Sequence, residues 1–299
     1  MTNLEIEAFL AIVNYGTVSA AAEHLYVTQP ALSRRIKALE EELGYQLFRR
    51  QKGIREVQMT EEGTAFLSVA RKWKHLWEET SAISKERQPK LALAAVGSVS
   101  SYIFPRVFHQ FLSQNKECHL SFYNYHSQEA YSYVESGIVD LAFVSDQKYS
   151  RILKAAPAFS EPFVLAGGAV WGNDKEVSKE VSFEELPPEK EVRLPWNNDY
   201  DQWHMQHFPD HVYPHVFLDQ MSLMEEFLNE DTWAAVPVSV GYCLQEKGIA
   251  IRNLAGGPSD RMIYYLLREE NENQLIEQFL QYLNEYLQKL ERVDSYLKK

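Results

Sequence analysis

A continuous run from Val18 to Arg50, VSAAAEHLYVTQPALSRRIKALEEELGYQLFRR, constrains this chain more than any other part of its sequence. It predicts a short alanine-rich helix, a tight turn at Tyr26 and Val27, and a second, amphipathic helix. Consecutive alanines are small, so a neighbouring helix can approach the first helix closely. A basic hairpin is expected directly after the second helix. Two helices joined by such a turn and followed by a hairpin are typical of a winged helix-turn-helix.

The flanking residues fit this arrangement. The segment from Leu4 to Tyr15 predicts a further helix, because its apolar residues recur at i, i+3, i+4 and i+7 along one face. Gly16 can end that helix by adopting positive φ. In the helix expected from Gln29 to about Leu43, Pro30 falls in the first turn, where its missing N–H is no loss. The residues expected on the core side of this helix are Leu32, Ile36, Leu39 and Leu43.

The opposite side of the same helix carries groups suited to DNA. Gln29 and Ser33 can hydrogen-bond to base edges, and Pro30 can contact a thymine methyl group. Arg34 and Lys37 are better placed for phosphates, which position a protein without reading sequence. Residues 29–55 hold seven Lys or Arg against three Glu, in a chain of net charge -12. A small helical subdomain with a solvated charged face is the alternative, but such local positive charge favours DNA binding.

The stretch AAEHLYVTQPALSRRIKALEEELGYQLFRR, with the later Met59-Thr-Glu-Glu-Gly63, resembles the N-terminal signature of LysR-type transcriptional regulators. The resemblance runs without a gap from about Leu4 to Gly63. It implies a family fold in which one set of residues faces the DNA groove and another forms the wing. The implied groove-facing residues are Thr28, Gln29, Pro30, Ser33 and Arg34, and the implied wing residues are Arg50, Lys52 and Arg55.

Length and composition indicate several domains and a soluble cytoplasmic protein. A chain of 299 residues with 45% hydrophobic residues is long and apolar enough for two or three packed domains. No apolar run is long enough to span a bilayer, and the N-terminus lacks a signal-peptide pattern, so no membrane partner is expected. Residues 1–90 hold 13 Lys or Arg and 12 Asp or Glu, whereas the remainder holds 17 and 30. Only the N-terminal part therefore suits a polyanion.

A long helix is expected from Thr60 to about Lys85, and Gln88-Pro89 marks a boundary after it. Apolar residues recur along it with a period of 3.5, which is typical of a helix that pairs with a partner. A helix packed on its own domain is the alternative. In the LysR family this segment is a dimerising linker helix, so the resemblance implies a homodimer or homotetramer. The predicted dimerisation residues are Phe66, Ala70, Trp73 and Trp77.

From Lys90 onwards strands and helices alternate. The β-α-β-α-β order over residues 91–144 predicts a parallel sheet with helices on both faces. The resemblance, carried here by Val134-Glu-Ser-Gly-Ile-Val-Asp-Leu-Ala-Phe-Val144, implies two α/β lobes similar to periplasmic binding proteins. The fold class expected is thus α+β multidomain. The expected domains are a winged helix-turn-helix at 1–58, a linker helix at 59–88, and an effector-binding domain at 89–299, with lobe I at about 89–163 and 266–299 and lobe II at about 164–265.

Ligands of open α/β sheets lie beyond the carboxyl ends of the strands. Serine-rich turns follow three of the expected strands here, and hydroxyls at helix N-termini suit a small anion or carboxylate. Ordinary N-caps are the alternative reading of these serines. The family resemblance places an inducer in the cleft between the lobes, but the inducer itself cannot be inferred. The predicted effector-binding residues are Ser98, Ser100, Ser127, Ser145, Trp196 and Asn197.

These observations predict a sequence-specific transcriptional regulator controlled by a small-molecule inducer, with no cofactor and no enzymatic activity. The expected partners are double-stranded promoter DNA with an interrupted inverted repeat, the inducer and RNA polymerase. One alternative is a LysR-like repressor that responds to no ligand. Another is an enzyme or metal-binding protein fused to a DNA-binding module, suggested by four histidines at i+3 or i+4 spacing: His204, His207, His211 and His215. Prolines interrupt that series, so no metal site is expected.

Overall fold

The computed structural model describes residues 1–49, 57–82, 88–125, 127–167, 180–208, 213–229, 231–271 and 273–297. The chain divides into two compact units. The N-terminal unit comprises Met1–Gln88 and Glu135–Ile138, and the C-terminal unit comprises Pro89–Val134 and Val139–Lys299.

The N-terminal unit is built from helices and one short hairpin. The helices are α1 (Asn3–Tyr15), α2 (Val18–His24), α3 (Gln29–Leu43) and α4 (Glu61–Ala82). The strands β1 (Phe48–Arg49) and β2 (Gln58–Met59) pair in antiparallel fashion. Gly16 and Gly44 end α1 and α3 with φ of 71° and 79°, which a residue without a Cβ adopts at no steric cost. The boundaries of α1 to α3 lie within one residue of those predicted.

The core of this unit forms around Phe9 of α1. Its ring lies 5.3 Å from that of Phe48 and 5.2 Å from that of Phe66, in tilted and edge-on arrangements. Leu32, Ile36 and Leu39 of α3 are buried in the same cluster, as the apolar stripe predicts. The backbone at Gly63 lies close to that at Leu47, and a Cβ added to Gly63 would lie 2.1 Å from the Leu47 carbonyl oxygen. Only glycine fits at that position of the signature.

The C-terminal unit alternates strands and helices. Its strands are β3 (Lys90–Ala95), β4 (His119–Asn124), β5 (Leu141–Val144), β6 (Leu153–Glu161), β7 (Phe163–Gly167), β8 (Glu180–Ser182), β9 (Val192–Arg193), β10 (Val216–Phe217), β11 (Trp233–Pro237), β12 (Ala250–Ala255), β13 (Arg261–Arg268) and β14 (Asp294–Ser295). Its helices are α5 (Phe104–Gln114), α6 (Ser127–Glu135), α7 (Asn198–His207), α8 (Met224–Phe227), α9 (Val238–Glu246) and α10 (Gln274–Leu287).

The strands form two main sheets, which define two lobes. The lobe I sheet has the order β14-β6-β13-β5-β3-β4, and the lobe II sheet has the order β11-β7-β12-β8. Strand β3 is parallel to β4 and β5, as the β-α-β-α-β order predicts, whereas β13 is antiparallel to both β5 and β6. The chain crosses between lobes twice, at Pro162 between β6 and β7 and over residues 256–260 between β12 and β13.

Two features of this unit differ from the sequence-based prediction. Strand β13 joins the lobe I sheet from Arg261, so lobe I resumes five residues before the expected position 266. Strand β6 was not predicted, since Pro157 interrupts its apolar pattern. The structure accommodates this proline beside a register shift opposite Ile263 and Tyr264, where a missing backbone N–H is tolerated.

Within the described residues, none of the helices is both long enough and apolar enough to cross a membrane.

Candidate functional site

The exposed face of α3 presents the side chains predicted to contact DNA. Thr28, Gln29, Pro30, Ser33, Arg34 and Lys37 are all exposed. They lie opposite the buried Leu32, Ile36 and Leu39 because the helix places residues three and four apart on one side. This face therefore combines two cations with amide and hydroxyl groups, as base and phosphate contacts require.

Several of these side chains already have partners within the unit. The Gln29 Nε2 donates to the Ser19 Oγ at 2.8 Å, which holds the amide against α2. Arg34 Nε donates to the Pro30 carbonyl oxygen at 3.4 Å, a long and easily exchanged bond. The Lys37 Nζ lies 3.4 Å from a Glu41 carboxylate oxygen, and both side chains are largely exposed. Such exposed contacts are weak, so phosphates can replace them.

Two residues of the turn add to this face. Thr28 occupies the N-cap position of α3, but its side chain makes no capping hydrogen bond, which leaves its hydroxyl available. Tyr26 is 97% exposed and adopts φ of 54°, in the left-handed region. From the sequence, Tyr26 is predicted only to break the chain between two helices. A large aromatic residue at a turn position that asparagine or glycine would adopt more easily is the feature that could have drawn attention to it.

The predicted wing residues Arg50, Lys52 and Arg55 lie outside the described residues.

A cavity of about 770 Å³ lies between the two lobes of the C-terminal unit. From lobe I its walls come from the residues that follow β3, β4 and β5, at the carboxyl ends of these parallel strands. From lobe II they come from the start of α7 and from residues 219–222. Of the predicted effector-binding residues, five line this cavity: Ser98, Ser127, Ser145, Trp196 and Asn197.

Several residues that line the cavity are hydrogen-bonded to one another. The Ser127 and Ser145 hydroxyls are 3.3 Å apart, and Ser145 Oγ donates to the Asp146 carboxylate at 3.2 Å. Asn198 Nδ2 of lobe II donates to the other Asp146 oxygen at 3.1 Å, which links the two lobes across the cavity mouth. The Asn197 side chain accepts from the Tyr200 N–H at 2.9 Å and caps α7. This bond occupies an oxygen that a ligand could otherwise use.

A buried ion pair lies behind the cavity, at the crossovers between the lobes. Arg261 donates to the Glu161 carboxylate and, at 2.7 Å, to the Ser98 hydroxyl oxygen. The Ser239 backbone N–H donates to the second Glu161 oxygen at 2.9 Å. The Arg261 guanidinium also lies 5.7 Å from the centre of the Trp196 ring. Ser98 therefore contacts both the cavity and the charged pair at the crossovers.

Two family models match the chain. The one described as "Bacterial regulatory helix-turn-helix protein, lysR family" matches residues 4–64. The one described as "LysR substrate binding domain" matches residues 84–288, well over half of the chain. The chain belongs to the LysR family.

Curated relatives of this LysR-family chain are named transcriptional regulators. It is 31% identical over 143 residues to the HTH-type transcriptional regulator ClcR of Pseudomonas putida, covering 46% of this chain and 48% of that protein. It is 28% identical over 195 residues to a probable nitrogen assimilation transcriptional activator of Synechocystis sp., covering 63% and 62%. The chain spans about half the length of most of the curated relatives it matches.

Solved structures of full-length LysR-family regulators share the fold. CbnR superposes with a TM-score of 0.67 at 19% identity, covering 96% of this chain and 99% of that one. A complex of full-length CbnR with its target DNA gives 0.66 at 19% identity, covering 96% and 100%. A variant of full-length OxyR from Pseudomonas aeruginosa gives 0.64 at 19% identity, covering 95% of each chain.

Ser100, predicted to bind the effector in the LysR-family cleft, lies elsewhere in the structure. It does not line the cavity, and its hydroxyl donates to the Gly97 carbonyl oxygen at 2.8 Å. The next residue, Ser101, faces the cavity instead. The cause is the π-helical turn at Val99–Ile103, whose wider winding shifts the serine that faces the cleft by one position. A sequence pattern alone does not distinguish these neighbouring serines.

The predicted dimerisation residues on α4 also require correction. Phe66 and Ala70 are buried in the core of the N-terminal unit, and Trp73 is partly buried against it, so Phe66 and Ala70 are not available to a partner. The apolar stripe packs against α1 of the same chain, which was the alternative considered for this helix. Trp77 remains half exposed. The exposed apolar residues of this helix are Val69, Leu76 and Trp77.

Of the four histidines at i+3 or i+4 spacing, His204 has a structural role. The helix α7 was not predicted, and it ends at His207 before Pro209 can interrupt it. His204 Nε2 lies 2.7 Å from the buried Glu191 carboxylate, which also accepts from the Tyr200 hydroxyl at 3.2 Å. Burial raises the pKa of Tyr200 well above its usual range. His211 lies outside the described residues, and no metal-binding cluster occurs among the described ones.

Proposed function

We propose that this chain is a sequence-specific DNA-binding transcriptional regulator controlled by a small-molecule inducer that binds between its two lobes. The observation that carries the proposal is the exposed polar and basic face of α3, which lies opposite the residues that this helix packs into the core of its unit. Its relatives are named transcriptional regulators, so we infer a regulator rather than an enzyme. A chromosomal target places its action in the bacterial cytoplasm.

DNA recognition is divided between base contacts and phosphate contacts. Gln29 and Ser33 lie at the start of α3, where a recognition helix meets base edges, and Pro30 can contact a thymine methyl group. Gln29 must exchange its bond to Ser19 for one to a base, which costs little because an exposed hydrogen bond is replaced by another. Arg34 and Lys37 bind phosphates and supply affinity without sequence preference.

A homodimer places two recognition helices on one DNA face. We infer that the exposed apolar residues of α4, Val69, Leu76 and Trp77, bind the partner. Large apolar side chains left in water forfeit about 1.5–3 kcal/mol each, which favours covering them. An inverted repeat in the DNA would match the two-fold symmetry of this dimer. RNA polymerase is a further partner if the regulator activates transcription.

Inducer binding acts through the crossovers between the lobes. Ser98 lines the cavity and accepts a hydrogen bond from Arg261, which pairs with Glu161 next to Pro162. A ligand that contacts Ser98 therefore weakens or strengthens the hydrogen bond that Arg261, at the start of β13, donates to Ser98. Differential binding to two lobe arrangements is the only way for a ligand to shift the regulator between two states.

DNA binding by substituted full-length proteins tests the first half of the proposal. We expect Arg34→Ala to weaken binding to every sequence and to reduce the salt dependence by about one phosphate contact. Ser33→Ala should instead lose about 1–3 kcal/mol at the preferred site and little elsewhere. Fluorescence anisotropy with specific and scrambled duplexes over a range of salt concentrations measures both effects.

Arg151→Ala is the matched control, since it removes an exposed positive charge in the C-terminal unit, far along the chain from α3. It should leave both the affinity and the salt dependence unchanged. An Arg34→Ala protein with altered sequence preference and an unchanged salt dependence would contradict the roles assigned here. If no metabolite in a broad screen changed DNA affinity, the ligand-independent repressor would replace the inducer-controlled regulator.

A further inference from the structure

The inter-lobe cavity is lined by acidic side chains and, within the part of the chain that the structure describes, by no Lys, Arg or His. Four carboxylates face it: Glu129, Asp146, Asp201 and Asp219. His126 lies outside the described residues and is not counted. This charge is opposite in sign to that of the anion site which the serine turns and helix N-termini predict. The acids therefore decide which ligand the cavity accepts.

One of the four carboxylates is compensated by a cation. Arg193 donates to Asp201 at 3.1 Å and offsets its charge. Among the described residues, the hydrogen-bond donors to the Asp146 carboxylate are neutral, the Ser145 hydroxyl and the Asn198 amide, and they leave its charge in place. Glu129 and Asp219 are exposed and form no ion pair with any described residue. Three negative charges thus remain at the cavity walls.

Arg261, the cation that contacts the cavity residue Ser98, is already neutralised. Arg261 lies behind Ser98, is 1% exposed and pairs with Glu161. Two of the helix N-termini that face the cavity carry their own acids, Glu129 in the first turn of α6 and Asp201 in the first turn of α7, whereas the π-helical turn after Ser98 carries none. Acids at these positions offset the partial positive charge of a helix start. A ligand anion would therefore find carboxylates where the fold alone would supply positive potential.

One buried group inside the cavity itself points to a ligand. Ser98 is 3% exposed and lines the cavity. Its oxygen accepts the hydrogen bond from Arg261, and no acceptor for its hydroxyl hydrogen occurs among the described residues. A hydroxyl has one donor and two acceptor sites, so this hydrogen remains for a ligand oxygen. Asn124 and Gln220 on opposite walls can add further neutral hydrogen bonds.

We propose that the ligand of this cavity is a small polar organic amine, protonated at neutral pH, whose ammonium group lies among Glu129, Asp146 and Asp219. The inference rests on the proposed function, which makes this cavity the inducer site. An ammonium group donates charge-assisted hydrogen bonds to carboxylates, which are stronger than neutral ones. A free carboxylate in the same place would lose its hydration and face charges of its own sign.

The charge preference of the cavity can be measured without knowing the ligand. Ser101 is exposed and lines the cavity, so Ser101→Cys in a Cys118→Ser, Cys243→Ser background places one thiol there. Methanethiosulfonates carrying a trimethylammonium or a sulfonate group then react with that thiol in the full-length protein. We expect the ratio of the cationic to the anionic rate to exceed the ratio for free mercaptoethanol by about tenfold.

Substitutions identify the acids that produce this ratio. Glu129→Gln together with Asp219→Asn should return the ratio to within a few-fold of that for mercaptoethanol. Glu277→Gln is the matched control, because Glu277 lies in the first turn of α10, away from the cavity residues, and its replacement removes the same kind of charge. The ratio in this control should not change. A ratio equal to that of mercaptoethanol in the Ser101→Cys protein would overturn the proposal.

Ligand binding by the wild-type full-length chain separates this inference from the proposed function. 4-Amino-1-butanol, 1,4-butanediol and succinate share a four-carbon chain and differ in charge, and each is tested for a rise in Tm and for a change in DNA affinity. We expect 4-amino-1-butanol, which carries both an ammonium group and an oxygen, to raise Tm most, and a larger rise with succinate would overturn the inference. A bound amine that leaves DNA affinity unchanged would contradict inducer control but not the amine site. An acid that changes DNA affinity would do the reverse.

Discussion

At the scale of single residues, the ion pair of Arg261 and Glu161 places two opposite charges in the interior of the C-terminal unit. Both side chains are almost fully buried where the chain crosses between the lobes. A charge of this kind is tolerated only while its partner is present. Arg261→Met keeps most of the side-chain volume and leaves Glu161 uncompensated, so we expect a loss of about 3–5 kcal/mol in the free energy of unfolding of this unit. Urea denaturation of the full chain measures it.

The double variant Arg261→Met, Glu161→Gln tests the cause. Glutamine keeps an oxygen that can accept from the Ser239 N–H but carries no charge, so the double variant should be more stable than Arg261→Met alone. Arg106→Met is the matched control, because it breaks the half-exposed pair of Arg106 and Glu246, for which we expect about 0–1 kcal/mol. Equal losses in the single and double variants would show that packing, not charge, determines the cost.

At the scale of elements, α4 carries two separate sets of apolar residues. Its predicted stripe is buried within the N-terminal unit, and a second set of apolar residues remains exposed. We expect Leu76→Glu together with Trp77→Glu to lower the molecular mass in light scattering, since two charges would have to be buried against a partner. Phe66→Ala should instead destabilise the N-terminal unit, by about 3–5 kcal/mol, because it leaves a cavity beside Phe9.

Thr64→Glu is the control for this pair of substitutions, since it adds one charge of the same sign near the start of α4, at an exposed position. Its mass should equal that of the wild-type protein. An unchanged mass for the Leu76→Glu, Trp77→Glu protein would remove this face of α4 from the interface.

The elements also show how far the sequence predicts this structure. Helices α1 to α3, and strands β3 to β5, follow from local periodicity and from caps such as Gly16 and Gly44. Strand β6 contains Pro157 and is stabilised by β13, more than 100 residues later, so its pattern carries no local signal. Helix α7 is absent from the sequence-based prediction, which took the prolines of the histidine series as interruptions, and Pro209 lies beyond the actual end of the helix.

The residues of the candidate site likewise differ in how far the sequence predicts them. The face of α3 was predictable because one helix presents all of its described residues. The acidity of the cavity was not, since its four carboxylates come from four separate segments that only the fold brings together. Ser100 and Ser101 could not be distinguished, because a single π-helical turn determines which of them faces the ligand.

At the scale of the whole molecule, inducer control requires coupling between the cavity and the DNA-binding face. Binding free energies at two coupled sites are linked, so each ligand changes the affinity of the other by the same factor. We expect an inducer that changes DNA affinity to do so by about 5–150-fold, the usual range for such coupling. Calorimetry of inducer binding in the presence and absence of saturating DNA should then show the same factor.

The coupling should depend on the crossover residues as well as on the cavity. Ser98→Ala removes both the hydroxyl that faces the ligand and the acceptor of the Arg261 hydrogen bond, so it should weaken inducer binding and reduce the coupling factor. DNA affinity without inducer should stay at the wild-type value, since Ser98 belongs to the C-terminal unit and lies far along the chain from α3. Ser100→Ala is the matched control, because the hydroxyl of that serine donates to the Gly97 carbonyl oxygen and the residue does not line the cavity. Wild-type inducer affinity and coupling in the Ser98→Ala protein would show that the inducer acts by a route other than the pair of Arg261 and Glu161.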